Sequence, residues 1–571
     1  MMRRPGLLFC FLLAFLTQSF LIQSYLCQDD AAQLRSNEDG ALIDTGFRPE
    51  VDGFSFENYG DDRKAEGLSS EELLRMFGDK VCSGIVDGKC VLTPAGRHWM
   101  EQVNRAMSVG HCEGFAVLSL LMYYGFINPD KFGGSNAHEL NISNRNLQKE
   151  IAFWWTTQGL SPAIDDKVAG PSNVLNVLTD AFSQGDDAFD SWTIGIYKED
   201  GSDGHAVTPY AVKDSGNGLY DVLVYDNNFP NQKRTLTIDK NNNTFSYESS
   251  VNPLERSDCY FGSNIEITPT SSRLVEQKCP FCRDSGAGKL NASSSSAGLN
   301  ATESAKMVQV WLNGSARLLL TDEQGKRTGW TAENRHVNEI PGARVQRFLY
   351  ENPEDEYAVQ PLYLLPDGTN FTATIDGTRL KAGSYQELLV IGNGYELNVE
   401  DIWLDPGECD SVEITKYGID YFGLAYATNY TESPDLDIGL ETEDADWEFI
   451  VKGAEIESGG SVNVDLDYDS GDFILHTFGN EETGWYQIMV IRTDDNETQV
   501  FANDEISMSP NETMYVNFLD WKGDGDSMPL DFDLNDDGII DKSIRAADAS
   551  DFYSDPYADW EADDMESDRV Y

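Results

Sequence analysis

The run Ser108-Val109-Gly110-His111-Cys112-Glu113-Gly114-Phe115-Ala116-Val117-Leu118-Ser119-Leu120-Leu121-Met122-Tyr123-Tyr124-Gly125 decides how the first half of this chain folds. From Phe115 to Tyr124 nearly every position is apolar, with no Pro or Gly, and Gly125 follows at once. That predicts a buried helix closed by a glycine cap. Cys112 then falls at or just before the helix N-terminus, where unpaired N–H groups and the helix dipole favour thiolate over thiol. The setting is that of a nucleophile, although a cysteine before an apolar helix also serves as plain packing.

A nucleophile needs a base and a group that orients the base. Only six histidines compete for the role. His111 adjoins Cys112, and neighbouring side chains usually diverge. His98, His138, His336 and His476 lack a glycine-turn or strand context. His205 has one, in Asp203-Gly204-His205-Ala206-Val207-Thr208-Pro209-Tyr210-Ala211-Val212. A second strand, Leu219–Tyr225, runs into Asp226-Asn227-Asn228. An antiparallel hairpin sets the first residue of one strand beside the last of the other. His205 and Asp226, with Asn227 as the alternative, are therefore expected together at one end.

Cysteine on a helix, then His and Asp/Asn on successive strands, resembles the papain-like cysteine peptidase fold. More narrowly, Gly110-His111-Cys112-Glu113-Gly114, Gly204-His205-Ala206-Val207 and Val224-Tyr225-Asp226-Asn227-Asn228 resemble secreted bacterial and archaeal members of that superfamily. The resemblance covers roughly residues 70 to 270 and implies a Cys112–His205–Asp226 triad on an α+β domain. It departs from the plant and lysosomal enzymes at one point. Those carry Gln six residues before the cysteine as an oxyanion donor, and Ala106 stands there. Gln102 is the nearest substitute, and Asn104 is its rival.

The bulk numbers bound the rest. At 571 residues the chain exceeds a single core, and 40% hydrophobic with 11% aromatic content supplies folded domains. Lys+Arg 41 against Asp+Glu 98 gives a net charge of −57, which repels nucleic acid and anionic membrane. Residues 1–27 read as a secretory signal, with Arg3-Arg4 before a Leu/Phe-rich run. Thr17, Gln18, Ser19, Gln23 and Ser24 interrupt that run, against a permanent membrane span. Cys27 raises a lipoprotein alternative, which Tyr25 and Leu26 disfavour because lipidation signals want small residues there. Sequons at Asn141, Asn242, Asn291, Asn300, Asn313, Asn370, Asn429, Asn496 and Asn511 fit export and a glycoprotein. Cys82 and Cys90 flank a tight loop that a disulfide can close. Cys279-Pro280-Phe281-Cys282 predicts a second, in preference to half a zinc knuckle that would need two further ligands.

The chain therefore reads as multidomain: an α+β papain-like domain, then two all-β sandwich domains and a short calcium-loop segment. A signal peptide covers 1–27, and an acidic leader or propeptide 28–67. The papain-like peptidase domain covers 68–275, with helices expected near 68–78, 93–104, 147–155 and 172–182 before a strand-rich half. A Ser/Gly-rich linker spans 276–305. Short alternating runs with turn residues between them predict β-sandwiches over 306–408 and 409–520.

Residues 521–545 hold Asp533-Leu534-Asn535-Asp536-Asp537-Gly538-Ile539-Ile540-Asp541. Oxygens at alternate places, a glycine at the sixth and Asp at the ninth can wrap a hard cation. Asp533, Asn535, Asp537, Ile539 and Asp541 are the expected structural Ca2+ ligands. Ile544 stands where a sensor EF-hand has Glu, so the loop resembles dockerin or thrombospondin-repeat calcium loops. An acidic tail, expected to be disordered, closes the chain at 546–571.

The function expected from these features is a secreted cysteine peptidase acting on protein or peptide substrates through a thioacyl-enzyme. An amine in place of water would make the outcome amidase- or transglutaminase-like. The alternative of a different class is a non-catalytic, calcium-stabilised extracellular binding or adhesion protein. In either case the β-domains offer a surface for an extracellular ligand, and no nucleic acid or membrane span is expected.

Overall fold

The computed structural model describes residues 37–60, 65–86, 88–183, 190–199, 203–249, 259–283, 306–349, 360–417, 421–468, 470–494, 497–519, 521 and 527–550. The expected signal segment, residues 284–305 of the linker, and the tail from 551 lie outside them.

The first unit begins with β1 (Ala41–Asp44) and the short α1 (Pro49–Asp52). There follow α2 (Ser70–Phe77), the hairpin β2 (Cys82–Val86) and β3 (Lys89–Leu92), α3 (Pro94–Met107) and α4 (Cys112–Tyr123). After α5 (Arg145–Thr156), β4 (Val168–Ala169) and α6 (Pro171–Ser183) come β5 (Trp192–Tyr197), β6 (Gly204–Gly216), β7 (Leu219–Asp226), β8 (Lys233–Asp239), β9 (Thr244–Glu248), β10 (Cys259–Gly262) and β11 (Ile265–Pro269). These strands form an antiparallel sheet ordered β10-β9-β8-β7-β6-β5-β11-β4, with β1 pairing β6. Local chemistry sets the helix starts. Thr93 Oγ1 accepts the Gly96 N–H at 3.1 Å with Pro94 at the first helical position, and Glu72 reaches back to the Ser69 N–H at 2.9 Å. The helix α4 is buried from Cys112 through Met122, as its all-round apolar sequence requires.

Residues 41–60 are not a detached leader. Phe47 and Phe54 are fully buried and Tyr59 nearly so. Phe54 and Tyr59 each pack edge-on against Phe115 of α4. Both expected disulfides are present, Cys82–Cys90 and Cys279–Cys282. Phe281, between the second pair, packs against Phe77 and Trp99, so the first unit runs past the expected 275 boundary.

The second unit is all β. Its strands are β12 (Met307–Asn313), β13 (Arg317–Asp322), β14 (Arg327–Trp330), β15 (His336–Asn338), β16 (Arg344–Gln346), β17 (Leu362–Pro366), β18 (Phe371–Asp376), β19 (Ser384–Gly392), β20 (Tyr395–Leu404) and β21 (Cys409–Tyr417). They continue as β22 (Tyr421–Ala427), β23 (Asp435–Glu441), β24 (Asp446–Lys452), β25 (Ser461–Asp467), β26 (Asp472–Phe478), β27 (Gly484–Thr493), β28 (Thr498–Met508), β29 (Thr513–Asn517), β30 (Ser527–Asp533) and β31 (Lys542–Asp548). Successive hairpins alternate between two layers. One layer runs β12-β19-β20-β23-β24-β27-β28-β31, and the other β13-β18-β21-β22-β25-β26-β29-β30. A single apolar core lies between them, reaching from Val308 to Ala546.

Two expectations change here. The position 408/409 is no boundary, because the β18–β21 and β20–β23 ladders pass across it and the core is shared. The hairpin β30–β31 belongs to the same body, and its last strand extends to Asp548, inside the expected tail.

Strand patterning explains how the units meet. In β25 and β26 burial alternates residue by residue, one face on the core and one in water. In β23 and β24 nearly every residue is buried. Their outward residues meet α3: a Cβ on Gly439 would lie 2.3 Å from Cβ of Pro94. Acidic residues that alternation would expose, Glu396, Asp437 and Glu448, are therefore buried against Arg97 and His98 of α3.

Candidate active site

Cys112 is the first residue of α4, preceded by His111 in a non-helical conformation. The glycines that bracket it have separate steric reasons. Gly110 sits at φ +154°, where a Cβ would press on Asn58 at 3.1 Å. A Cβ on Gly114 would lie 2.1 Å from the main-chain oxygen of Ile151, so only glycine lets α5 approach α4 this closely.

The β6–β7 hairpin brings His205 and Asp226 together as its register requires, with Asp226 opposite Val207. His205 Nε2 lies 2.8 Å from Asp226 Oδ1. Asn227 takes a different position from the orienting one considered for it. Its Nδ2 donates at 3.0 Å both to the Cys112 carbonyl and to the Ala206 carbonyl, tying the start of α4 to the start of β6. Cys112 and Ala206 share one small packed cluster. Cys112, His205, Asp226 and Asn227 are all 0% exposed.

Burial alone would push the Asp226 carboxyl upward. The adjacent His205, its hydrogen bond, the Tyr247 hydroxyl and the Asn228 N–H at 2.9 Å outweigh it and hold the group below its ordinary value. Asp226 is therefore a buried carboxylate with every partner it needs. Tyr247, on β9, was not identifiable from the sequence, since nothing local marks a tyrosine two strands away.

The residues flanking Cys112 now have roles. His111 lies 4.4 Å from the Tyr59 ring, its Nδ1 is 2.8 Å from the Tyr59 carbonyl, and its N–H reaches Asn58 Oδ1 at 2.8 Å. Burial pushes its pKa down to about 4, so it stays neutral and packs. Glu113 forms a buried ion pair with Arg273 and accepts from Thr193 Oγ1 at 3.0 Å. Arg273 also donates to Thr157 Oγ1 at 2.7 Å.

Gln102 is not brought to the cysteine. Its amide makes a reciprocal pair with Asn313 of β12, at 2.8 and 2.7 Å, in the contact between the two units. Asn104 is occupied by the main chain of Leu68, accepting at 2.7 Å and donating at 3.1 Å. The donor beside Cys112 is instead Trp155 of α5. Its indole N–H lies 3.3 Å from the Leu349 carbonyl oxygen, and the same oxygen accepts from Cys112 Sγ at 3.5 Å. The Leu349 N–H donates to Gln158 Oε1 at 2.6 Å. The sequence offers no sign of this arrangement, because Leu349 reaches the cysteine across 237 residues.

Asp533 ends β30, and Asn535, Asp537, Ile539 and Asp541 lie in the loop that follows it to β31. Asp533 accepts the N–H groups of Asn535 (3.1 Å), Asp537 (3.2 Å) and Gly538 (2.6 Å). Burial acts to raise its pKa, and these bonds hold it low instead. Asn535 donates from its side chain to Asp541 Oδ2 at 3.4 Å, so the third and ninth positions converge. The donor set is hard oxygen, and Gly538 at φ +80° supplies the turn. Such a set of oxygen donors is of the kind a hard cation takes. A second group, His98, Glu396 and Asp437, is buried with ligand atoms within 4.8 Å of one another and can also hold a metal. Arg97 already pairs there with Asp437 at 3.2 Å and with Glu448.

Among the described residues no single helix is long and apolar enough to cross a membrane. Comparison with protein-family models, with curated proteins and with solved structures finds no match to this chain.

Proposed function

We propose that this chain is a secreted cysteine peptidase of papain-like architecture that cleaves protein or peptide substrates by acyl transfer. The observation that carries the reading is the 2.8 Å His205 Nε2–Asp226 Oδ1 bond, made on the hairpin that Asn227 ties to a cysteine at the N-terminus of a buried helix. Asn227 joins the two halves through the carbonyls of Cys112 and Ala206.

In this mechanism Nδ1 of His205, the nitrogen that Asp226 does not engage, takes the Cys112 proton. Asp226 fixes the ring and stabilises the imidazolium, and the helix N-terminus stabilises the thiolate. The sulfur attacks a substrate carbonyl. Its developing oxyanion is met by the Cys112 N–H and by the Trp155 indole N–H, in place of the expected Gln102. The amine leaves with the proton from His205, and water then hydrolyses the thioester. With an amide substrate the same steps give amidase-type hydrolysis, and an amine acceptor in place of water gives transglutaminase-type products. Calcium at Asp533–Asp541 would brace the far end of the β body, with no part in the chemistry.

A second reading has its own support. Cys112 is wholly buried, as a packing cysteine would be. The β body also carries the outward pair Tyr385–Trp403, rings 4.8 Å apart, and a well exposed Trp485. These suit an extracellular binding or adhesion protein. Labelling of the folded protein with an irreversible papain-class epoxide, followed by peptide mapping, separates the two. A single adduct on Cys112 that His205→Ala abolishes supports the peptidase, and no adduct on a folded, reduced sample supports the binding protein.

A further inference from the structure

The strand β16 leaves its pairing with β17 at Gln346, and the chain runs on through Phe348 to Leu349 beside Cys112. The Leu349 carbonyl oxygen is the atom that accepts from the sulfur, at 3.5 Å. Three features define how this segment is held. The Leu349 main chain is gripped at both polar atoms, by Gln158 on the N–H and by Trp155 and Cys112 on the oxygen. The Leu349 side chain lies over a floor made of two glycines. A Cβ on Gly195 would come within 3.1 Å of its methyl carbons, and one on Gly204 within 3.4 Å. Phe348 stacks between Trp155 and Trp311, each at 5.5 Å, and a Cβ on Gly159 would strike its ring at 2.8 Å.

We propose that Gln346–Leu349 occupies the acyl-side specificity site as an internal substrate mimic, and that the site therefore selects peptides with an aliphatic residue at the reacting carbonyl and an aromatic residue before it. This rests on the reading of Cys112 as the nucleophile. The resting chain is self-occluded, since a substrate must displace Phe348 and Leu349 to reach the sulfur. The glycine floor makes the choice of a side chain such as leucine physical. It gives a branched aliphatic group a flat surface, bordered by the Glu266 Cγ and the Tyr197 ring.

The test uses the full chain. Wild type and a Phe348→Ala/Leu349→Ala variant are treated with iodoacetamide, and with peptidyl acyloxymethyl ketones carrying Phe-Leu, Phe-Gly or Ala-Leu; adducts on Cys112 are timed. The expected result is iodoacetamide labelling at least tenfold faster in the double variant. Phe-Leu should also outrun both Phe-Gly and Ala-Leu at least tenfold. Equal labelling of wild type and variant overturns the occlusion, and equal rates for the three probes overturn the specificity. The probe comparison also runs on wild type over longer times, so a variant that fails to fold still leaves a readout. His205→Ala separates the underlying reading. If Cys112 labelling by iodoacetamide slows sharply without His205 while the probes show no preference, the nucleophile stands and the mimic falls. Labelling indifferent to His205 in every background removes the nucleophile, and the proposal with it.

Discussion

Cys112 Sγ and the Trp155 indole nitrogen converge on one oxygen, the Leu349 carbonyl, at 3.5 and 3.3 Å. Both donate to that oxygen, so a carbonyl is held at the sulfur with the indole N–H on its oxygen, where the proposed mechanism places the oxyanion. Trp155→Phe keeps an aromatic ring against Phe348 and deletes the N–H. The expected outcome is a loss of about 10²–10³ in kcat with KM within a few fold. Gln102→Ala, tied to Asn313 instead, should leave kcat within about twofold. Steady-state rates on a peptide substrate check both, and a Gln102 effect larger than the Trp155 effect would restore Gln102 as the donor.

Asp226 is held ionised by His205, Tyr247 and Asn228 against its burial. A carboxyl whose folded value is lowered gives stability that is complete above its ordinary value and lost as pH falls through the folded one. Tyr247→Phe removes one of those donors and moves the folded value upward. The acid loss tied to Asp226 should then be smaller and complete at a higher pH than in wild type, with stability near neutrality lower by about 1 kcal/mol. Asp226→Asn should slow Cys112 alkylation by about 10²-fold. Thermal unfolding across the acid range and alkylation rates against pH measure these effects; an unmoved acid limb in Tyr247→Phe would count against the assignment.

The site was legible where its chemistry is local. An apolar run fixed α4 with Cys112 at its first turn, and two adjacent strands placed His205 beside Asp226, because hairpin register is a short-range property. Tyr247 and Trp155 were not legible, since their positions depend on sheet order and on helix packing. Gln102 was misread for the same kind of reason. Being near the cysteine in sequence said nothing of Asn313, 211 residues on, which claims its amide. The two-sandwich expectation failed because alternation reports one buried face per strand and carries no information about which hairpins share a layer.

Glu113 and Arg273 form an ion pair almost without solvent contact. Burial pushes the Arg273 guanidinium down, and the Glu113 carboxylate beside it works against that. Removing one partner leaves a buried charge alone, and Arg273→Met should cost about 3–5 kcal/mol. Replacing both, as Glu113→Leu/Arg273→Met, should recover much of it. Urea unfolding gives the three values. A double variant no more stable than Arg273→Met would mean that Thr157 and Thr193, rather than the charges, set the energy.

The β30–β31 loop is preformed by main-chain bonds to Asp533. A cation that binds the folded loop alone raises stability with its concentration, by about 2.7 kcal/mol at a hundred times Kd. Calcium should thus raise Tm in wild type and have no effect in Asp541→Ala, with EDTA reversing the gain. Calorimetric titration with calcium on the full chain reads the same site directly. A wild-type Tm indifferent to calcium at millimolar levels would make the loop a plain acidic turn.

The contact between the two units has a pH dependence of its own. His98 Nδ1 lies 3.0 Å from Glu396 and its Nε2 3.4 Å from Asp437, with Arg97 and Glu448 in the same cluster. Burial and Arg97 push the imidazole down, but Glu396 and Asp437 outweigh them and hold it near about 10. Burial raises Glu396 and Asp437 as well, so all three groups favour keeping protons. A histidine raised in the folded state contributes fully below its ordinary value, 6.5, and loses that contribution as pH rises toward about 10. Each tenfold gain in proton affinity on folding is worth about 1.4 kcal/mol, so the loss is on the order of several kcal/mol. Wild-type stability should therefore fall between neutral and alkaline pH at constant ionic strength. In His98→Gln the fall should be shallower and the neutral-pH stability lower. Differential scanning calorimetry across that window checks it, and parallel pH profiles for the two proteins would show that the α3 contact holds no extra proton.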